Sequence, residues 1–225
     1  MKLNKLIAIA TISLLSGGIS MAQKALNLED IVAGNVIQTK GIGSMTWLKD
    51  GERYSRLENN KQTGGTDIVA YRAKDNSREV IIPSSLLTDK STGKPIPVRS
   101  ISWSADNEKV LIYNKTQRVW RYDTRGDYWV LNLKDGALRQ LGKGMPESSM
   151  MFAKFSPDGT RVAYVSNNNI YVEDIDSGKI IQLTKDGSDT IVNGTFDWVY
   201  EEEFCCRDGF RWSPDGKHIA YWQSD

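Results

Sequence analysis

Residues 197–204 read DWVYEEEF, so Glu201, Glu202 and Glu203 follow one another amid Phe196, Trp198, Tyr200 and Phe204. Neighbouring carboxylates repel, and two held close raise each other's pKa unless a positive group sits between them. The chemistry open to them is the capture of a small cation. A primary ammonium suits the gap, being compact, singly charged and equipped with three donors. At ~4 Å each ion pair is worth at most ~4 kcal/mol at an effective dielectric of about 20, less desolvation. A strand would point consecutive glutamates to opposite faces. A helical turn spaces them by about 100°, which lets two neighbours converge on one cation. The sequence therefore predicts a short helical excursion whose rings, Trp198 and Tyr200 among them, anchor it while the acids project. A solvated acidic surface is the plain alternative, and the flanking aromatics weigh against it.

Little else in the chain offers chemistry. Cys205 and Cys206 are the only thiols, and vicinal cysteines pair with each other only under strain. They are read as small buried hydrophobes, or as one partner for a group outside this sequence. His218 is the single histidine and alternates with Ile219 on an expected strand. That leaves no His/Cys cluster for a metal and no second histidine for general base work. No G-x-S-x-G elbow occurs, and GIGSMT at 41–46 lacks the spacing and the following helix of a phosphate loop. No metal and no cofactor are expected.

These residues must be held by a repetitive framework. Four segments resemble one another, around Trp47, Trp103, Phe155 and Trp212, at spacings of 56, 52 and 57 residues. Each has an aromatic closing one strand, a turn of the Asp-Gly kind, and an alternating second strand such as Arg161-Val162-Ala163-Tyr164-Val165. YWVLNLKDGALRQLG and IYVEDIDSGKIIQLT add hairpins with Gly136 and Gly178 at their turns. Four short antiparallel strands per unit, repeated at this period, describe an all-β fold of the β-propeller type. A β-sandwich is the alternative, but it needs no recurring turn at constant spacing. The chain holds about three and a half such blades and stops inside the fourth, which reads as the N-terminal part of a longer protein. ENNKQTGGTD and IIPSSLLTDKSTGKPIP, within 58–98, read as long inter-strand loops.

Residues 1–22 carry Lys2 and Lys5, an apolar run and a small-residue ending, the pattern of a signal peptide. Export to the periplasm or the cell exterior is expected, and no membrane span is expected in the mature chain. Removing these residues takes the formal net charge from +1 to −1, which gives no reason to expect a nucleic-acid partner. Residues 23–40 read as a segment of its own with a short helix: a cap at Asn27, acids Glu29 and Asp30, apolar Ile31 and Val32, and a stop at Gly34. Residues 41–225 are the partial propeller.

DWVYEEEF followed by RWSPDGKHIAYWQSD closely resembles dipeptidyl peptidase IV and its bacterial relatives among the prolyl oligopeptidase-type serine peptidases. NKTQRVWRYDTRGDYWVLNL and SPDGTRVAYVSNNNIYV occur in the family's order. FCCRDGF after the acids departs from the human-type pattern. The resemblance implies an eight-bladed propeller over an α/β-hydrolase domain, on which segment 23–40 would pack. It implies removal of dipeptides from free peptide N-termini, with Pro or Ala in second place. It assigns Glu202 and Glu203 to the substrate α-ammonium, Arg121 of VWRYD to a substrate carbonyl, and a structural role to Glu201. The catalytic Ser, Asp and His would lie outside this chain, and a homodimer of the full-length enzyme is a further partner expectation. Two other readings stand beside it: a non-enzymatic TolB-like propeller that binds a protein partner, and a family member that releases tripeptides.

Overall fold

A computed structural model describes residues 27–32, 41 and 43–225, in two units divided after Ile42. The expected signal peptide and the Gly34 stop lie outside the described residues. In the first unit a short helix, α1 (Leu28–Val32), starts where the sequence places its cap: Asn27 Oδ1 accepts the Asp30 N–H at 2.7 Å. Leu28, Ile31 and Val32 are all exposed. No helix among the described residues is long and apolar enough to cross a membrane.

The second unit is built of antiparallel meanders. The first blade is β1 (Thr46–Trp47), β2 (Arg53–Asn59), β3 (Thr66–Arg72) and β4 (Arg78–Ile82). A small hairpin, β5 (Thr88–Asp89) with β6 (Lys94–Pro95), leads to the second blade: β7 (Ser100–Trp103), β8 (Lys109–Val119), β9 (Tyr122–Asn132) and β10 (Leu138–Gln140). The third blade is β11 (Met151–Phe155), β12 (Arg161–Ser166), β13 (Asn169–Asp174) and β14 (Ile180–Gln182). The fourth is partial. There β15 (Val192–Asn193) pairs with β18 (Gln223–Ser224), and β16 (Phe210–Trp212) pairs with β17 (Ile219–Tyr221). The all-β, incomplete-propeller architecture is as the repeat predicts.

The recurring turn has a local cause. In the second, third and fourth units a serine hydroxyl donates to the aspartate two residues on, Ser104 to Asp106, Ser156 to Asp158 and Ser213 to Asp215, at 2.5–2.6 Å. The same serine oxygen accepts the N–H of Lys109, Arg161 or His218, where the next strand starts. The position after the aspartate needs positive φ: Gly159 and Gly216 sit at 68°, and Asn107 takes that place at 60°. Gly136 and Gly178 lie at 68° and 70° in the outer hairpins, as the sequence indicates.

One apolar cluster separates each successive pair of blades. Ile68, Ile82, Val110 and Ile112 pack between the first and second, Leu111, Val130, Val162 and Tyr164 between the second and third, and Val165, Ile170 and Phe210 between the third and fourth. The repeat tryptophans reach back: Trp103 Nε1 donates to Ser55 Oγ at 3.0 Å, and Trp212 Nε1 to the Lys154 carbonyl at 3.3 Å.

Two expectations are corrected. ENNKQTGGTD is no long loop, because β2 and β3 run into it and leave a turn of six residues. The proline-containing stretch carries the β5–β6 hairpin and a 3₁₀ turn, Ser84–Leu87, and it buries Leu87 and Ile96 against the first core, so its apolar residues are structural.

Candidate functional site

Two excursions from the blades meet at the acidic motif. The first grows from the second blade. β8 and β9 are 11 residues each, but β7 pairs with β8 only over 110–113 and β10 with β9 only over 129–131. Residues 114–127 therefore stand out as a two-stranded arm whose register shifts on both sides of Gln117. Gly126 and Met150 exchange backbone hydrogen bonds at 3.0 and 3.1 Å and tie the arm's base to the third blade. Only glycine fits there, since a Cβ on Gly126 would lie 2.4 Å from the Tyr113 ring and 2.6 Å from the Asn114 carbonyl. The Tyr113 hydroxyl lies 2.8 Å from the carbonyl oxygens of both Asp123 and Arg125, and burial pushes its pKa up to about 12.

Val119 pairs with Tyr122 across the tip, so Trp120 and Arg121 form a two-residue loop. Trp120 has φ 51°, a conformation that a bulky side chain rarely adopts. Its carbonyl accepts Arg118 Nε at 2.9 Å, which holds the turn from within.

The second excursion interrupts the fourth blade. Its neck is a backbone crossing. Gly209 N–H donates to the Gly194 carbonyl at 3.1 Å, Gly194 N–H to Trp222 at 2.9 Å, and Thr195 bridges Asp208. A Cβ on Gly209 would come within 2.9 Å of the Gly194 backbone. Below the neck, Lys154 of the third blade meets Asp208 at 2.5 Å and lies 3.5 Å over the Phe210 ring. Burial pulls its pKa down to about 8 against the upward pull of Asp208.

Within the excursion lies α2 (Trp198–Phe204), the predicted helix. Asp197 caps it, its Oδ1 accepting the Tyr200 N–H at 3.0 Å. At the other end Cys205 takes a left-handed conformation at φ 53°, and the N–H groups of Cys205 and Cys206 both turn back to the Tyr200 carbonyl. Both thiols are free; Cys205 is exposed and Cys206 half-buried, which corrects the expectation of two buried residues.

The exposures within α2 run opposite to the expectation. Trp198, Tyr200 and Phe204 are 52, 43 and 64% exposed, whereas Glu201 is only 4% exposed. Tyr200 stacks on Phe196 at 5.3 Å and packs tilted against Phe204 at 5.5 Å, and Trp222 leans on Phe196. The rings thus partner one another along one side of the motif, while Glu201, between them in sequence, is buried and lines a cavity together with Phe196. Trp198 makes none of these ring contacts.

The glutamates divide three ways. Glu202 Oε2 accepts from Arg121 Nη2 at 2.8 Å, with side-chain exposures of 9% for Glu202 and 71% for Arg121. Its Oε1 is buried and lacks a hydrogen-bond partner among the described residues, as does Glu201 Oε1. Glu203 is exposed and makes no ion pair among the described residues. A cavity of about 230 Å³ is lined by Trp120, Arg125, Phe152, Thr195, Glu201 and Arg207 among others. The structure thus brings Arg121 and Glu202 together and leaves Glu203 beside them, open to solvent.

Sequence reasoning missed Arg207 and Tyr122, whose guanidinium and ring lie 3.8 Å apart. An arginine in RDG after two cysteines carries no signal of such a contact. Among the described residues no cluster of three or more His, Cys, Asp or Glu could hold a metal.

Comparison with known proteins bears on this arrangement. Residues 104–225 match the family model described as "Dipeptidyl peptidase IV (DPP IV) N-terminal region". The chain is 35% identical over 210 residues to the "Probable dipeptidyl-aminopeptidase B" of Phaeosphaeria nodorum, covering 90% of this chain and 23% of that protein. It is 28% identical over 216 residues to the protein of the same description in Aspergillus terreus, covering 92% and 23%. Among solved structures, the dipeptidyl peptidase 4 of Porphyromonas gingivalis superposes with a TM-score of 0.73 at 26% identity, covering 90% of this chain and 28% of that one. The chain spans about a quarter of the length of the curated relatives it matches.

Proposed function

Because the chain belongs to the dipeptidyl peptidase IV N-terminal region family, we propose that it is the substrate-recognition propeller of an exported serine-type dipeptidyl peptidase. Glu202 and Glu203 bind the α-ammonium of a peptide, and Arg121 binds a peptide carbonyl. The Ser, Asp and His of catalysis belong to an α/β-hydrolase domain of the longer protein, on which segment 23–40 packs.

The observation that carries this reading is the Arg121–Glu202 pair, 2.8 Å apart, formed between an arm of the second blade and a helix of the fourth. The fold gains little stability from joining an exposed guanidinium to a buried carboxylate, since desolvation offsets much of the attraction. A binding site gains more. The carboxylates of Glu202 and Glu203 together exceed the single charge of Arg121 by one. That residual charge matches one ammonium. The unpartnered Glu202 Oε1 is shielded in this conformation, so an ammonium reaches it as Arg121 shifts off the carboxylate toward the peptide carbonyl. An amine held at a fixed distance from the nucleophile selects the bond after the second residue, because a longer N-terminal extension does not fit between them.

The test is kinetic. In the full-length protein Glu202→Gln/Glu203→Gln lowers kcat/KM on dipeptide-releasing substrates by about a hundredfold or more, the scale of an unpaired buried charge. The nucleophilic serine stays reactive toward a small acylating probe. Unchanged turnover overturns the assignment. Product analysis on peptides with free N-termini separates dipeptide from tripeptide release.

A further inference from the structure

Two contacts join the same two excursions in opposite directions. Arg121, at the tip of the arm, reaches Glu202 on α2. Arg207, just past the end of α2, lays its guanidinium 3.8 Å from the ring centroid of Tyr122, the arm residue next to Arg121. The Arg207 carbonyl accepts the Thr195 hydroxyl at 3.3 Å, which fixes its backbone to the neck. Arg207 has no ion-pair partner within 4.0 Å among the described residues, so the ring is the contact that holds its charge. It lines the same cavity as Glu201, whose buried Oε1 has no hydrogen-bond partner among the described residues.

We infer that Arg207 and Tyr122 are positioning residues: their stacked pair holds the arm in place while Arg121 yields Glu202 to the substrate ammonium. This inference rests on the reading of Glu202 as an ammonium ligand. An ammonium that binds Glu202 competes with the Arg121 guanidinium for the same carboxylate. Were that ion pair the sole tie between arm and helix, the incoming substrate would release the arm at the moment Arg121 has to meet the peptide carbonyl. Ordering a freed loop again costs conformational entropy. A cation–π contact uses no carboxylate, so the exchange leaves it untouched. It also tolerates small rotations of the ring and guanidinium planes, as a shift of Arg121 requires.

The experiment is steady-state kinetics of the full-length protein on a dipeptide-releasing substrate with a free amine. Arg207→Ala and Tyr122→Leu each raise KM about three- to thirtyfold, the range of a cation–π contact from exposed to desolvated, with kcat within about twofold. Tyr122→Phe, which keeps the ring face, retains the wild-type KM. The double variant Arg207→Ala/Tyr122→Leu is no worse than the weaker single variant, because one contact is removed either way. In an Arg121→Ala background, where the arm has no carbonyl contact left to position, Arg207→Ala adds nothing to KM, whereas a role confined to folding would add its cost there too. Wild-type KM in both Arg207→Ala and Tyr122→Leu, alongside an impaired Glu202→Gln, overturns the inference and leaves the ammonium reading intact. Equal damage from Tyr122→Phe and Tyr122→Leu also overturns it, since the hydroxyl and not the ring face would then be at work. A wild-type Glu202→Gln removes the ammonium reading and the inference with it. Tyr122 is 43% exposed, so its substitutions test the pair even if Arg207→Ala fails to fold.

Discussion

Arg121 Nη2 lies 2.8 Å from Glu202 Oε2, yet the two side chains are solvated very unequally, at 71% and 9% exposure. The pair is thus asymmetric in what each partner loses when left alone. A bare Arg121 returns to water, whereas a bare Glu202 stays in a protein environment as an uncompensated charge. Arg121→Ala is therefore expected to destabilise the protein by about 1–3 kcal/mol and Glu202→Ala by less than about 1 kcal/mol. Urea unfolding midpoints of the two variants check the order, and a reversed order contradicts the burial of the carboxylate.

The Asp197 cap carries the helix that presents the glutamates. Asp197→Ala removes the acceptor of the Tyr200 N–H and costs about 0.5–2 kcal/mol, while Asp197→Asn keeps most of it. The alanine variant also raises KM, because α2 loosens in its first turn and the glutamates that follow lose their fixed positions. Stability and KM measured on both variants test this together; equal behaviour of alanine and asparagine argues against the cap.

Gly126 marks the base of the arm, where a methyl group meets the Tyr113 ring at 2.4 Å and the Asn114 carbonyl at 2.6 Å. The backbone oxygen cannot rotate aside, so Gly126→Ala is expected to cost about 1–3 kcal/mol through overpacking. The arm must tilt to relieve the contact and carries Arg121 with it. Substrate affinity should fall in step with stability, whereas Gly136→Ala, in an outer hairpin away from the arm, affects stability alone.

Lys154 makes stability depend on pH in one direction. Its folded pKa is about 8 against 10.5 for the ordinary lysine, with burial as the main cause. Between these values the unfolded chain binds more protons than the folded one, so stability rises with pH through that window. Below about 8 both states are protonated and the burial cost is fully present. Across pH 7.5–9.5 the protein should gain about 1–2 kcal/mol relative to Lys154→Met, read by chemical denaturation at several pH values. Tyr113, whose folded pKa is raised to about 12, works in the opposite sense only above the ordinary tyrosine value near 10. A flat difference between the two proteins across the window contradicts the burial of the Lys154 ammonium.

The blades were legible because their signals are local. A Ser-x-Asp-Gly turn needs only its own residues: Ser156 Oγ, Asp158 and the positive φ of Gly159 close it whatever surrounds it. The short helix over the acids was legible from the need for neighbouring glutamates to converge, and Asp197 caps it from the adjacent position. The arm was not. Its tip dipeptide, Trp120-Arg121, contains neither Gly nor Asn, and its length shows only when β7 and β10 stop pairing while β8 and β9 go on. The β5–β6 stretch was misjudged because Pro, Ser and Thr mark turns, whereas the burial of Leu87 and Ile96 depends on a neighbouring blade.

By itself the sequence determined the repeat, the turns that close it and the helix at DWVYEEEF, while the ion pair between Arg121 and Glu202 came only with the tertiary structure. Only the tertiary structure decided how deeply each acid lies and what it touches. Whether Glu201, Glu202 or Glu203 faces inward depends on how the helix sits on its Gly194–Gly209 neck, and no local preference encodes that. The rings were expected to bury themselves and the carboxylates to stand out. Glu203 does stand out, but Trp198, Tyr200 and Phe204 are exposed and Glu201 is buried, because the burial of each side chain follows from where the neck docks the helix and not from its own polarity.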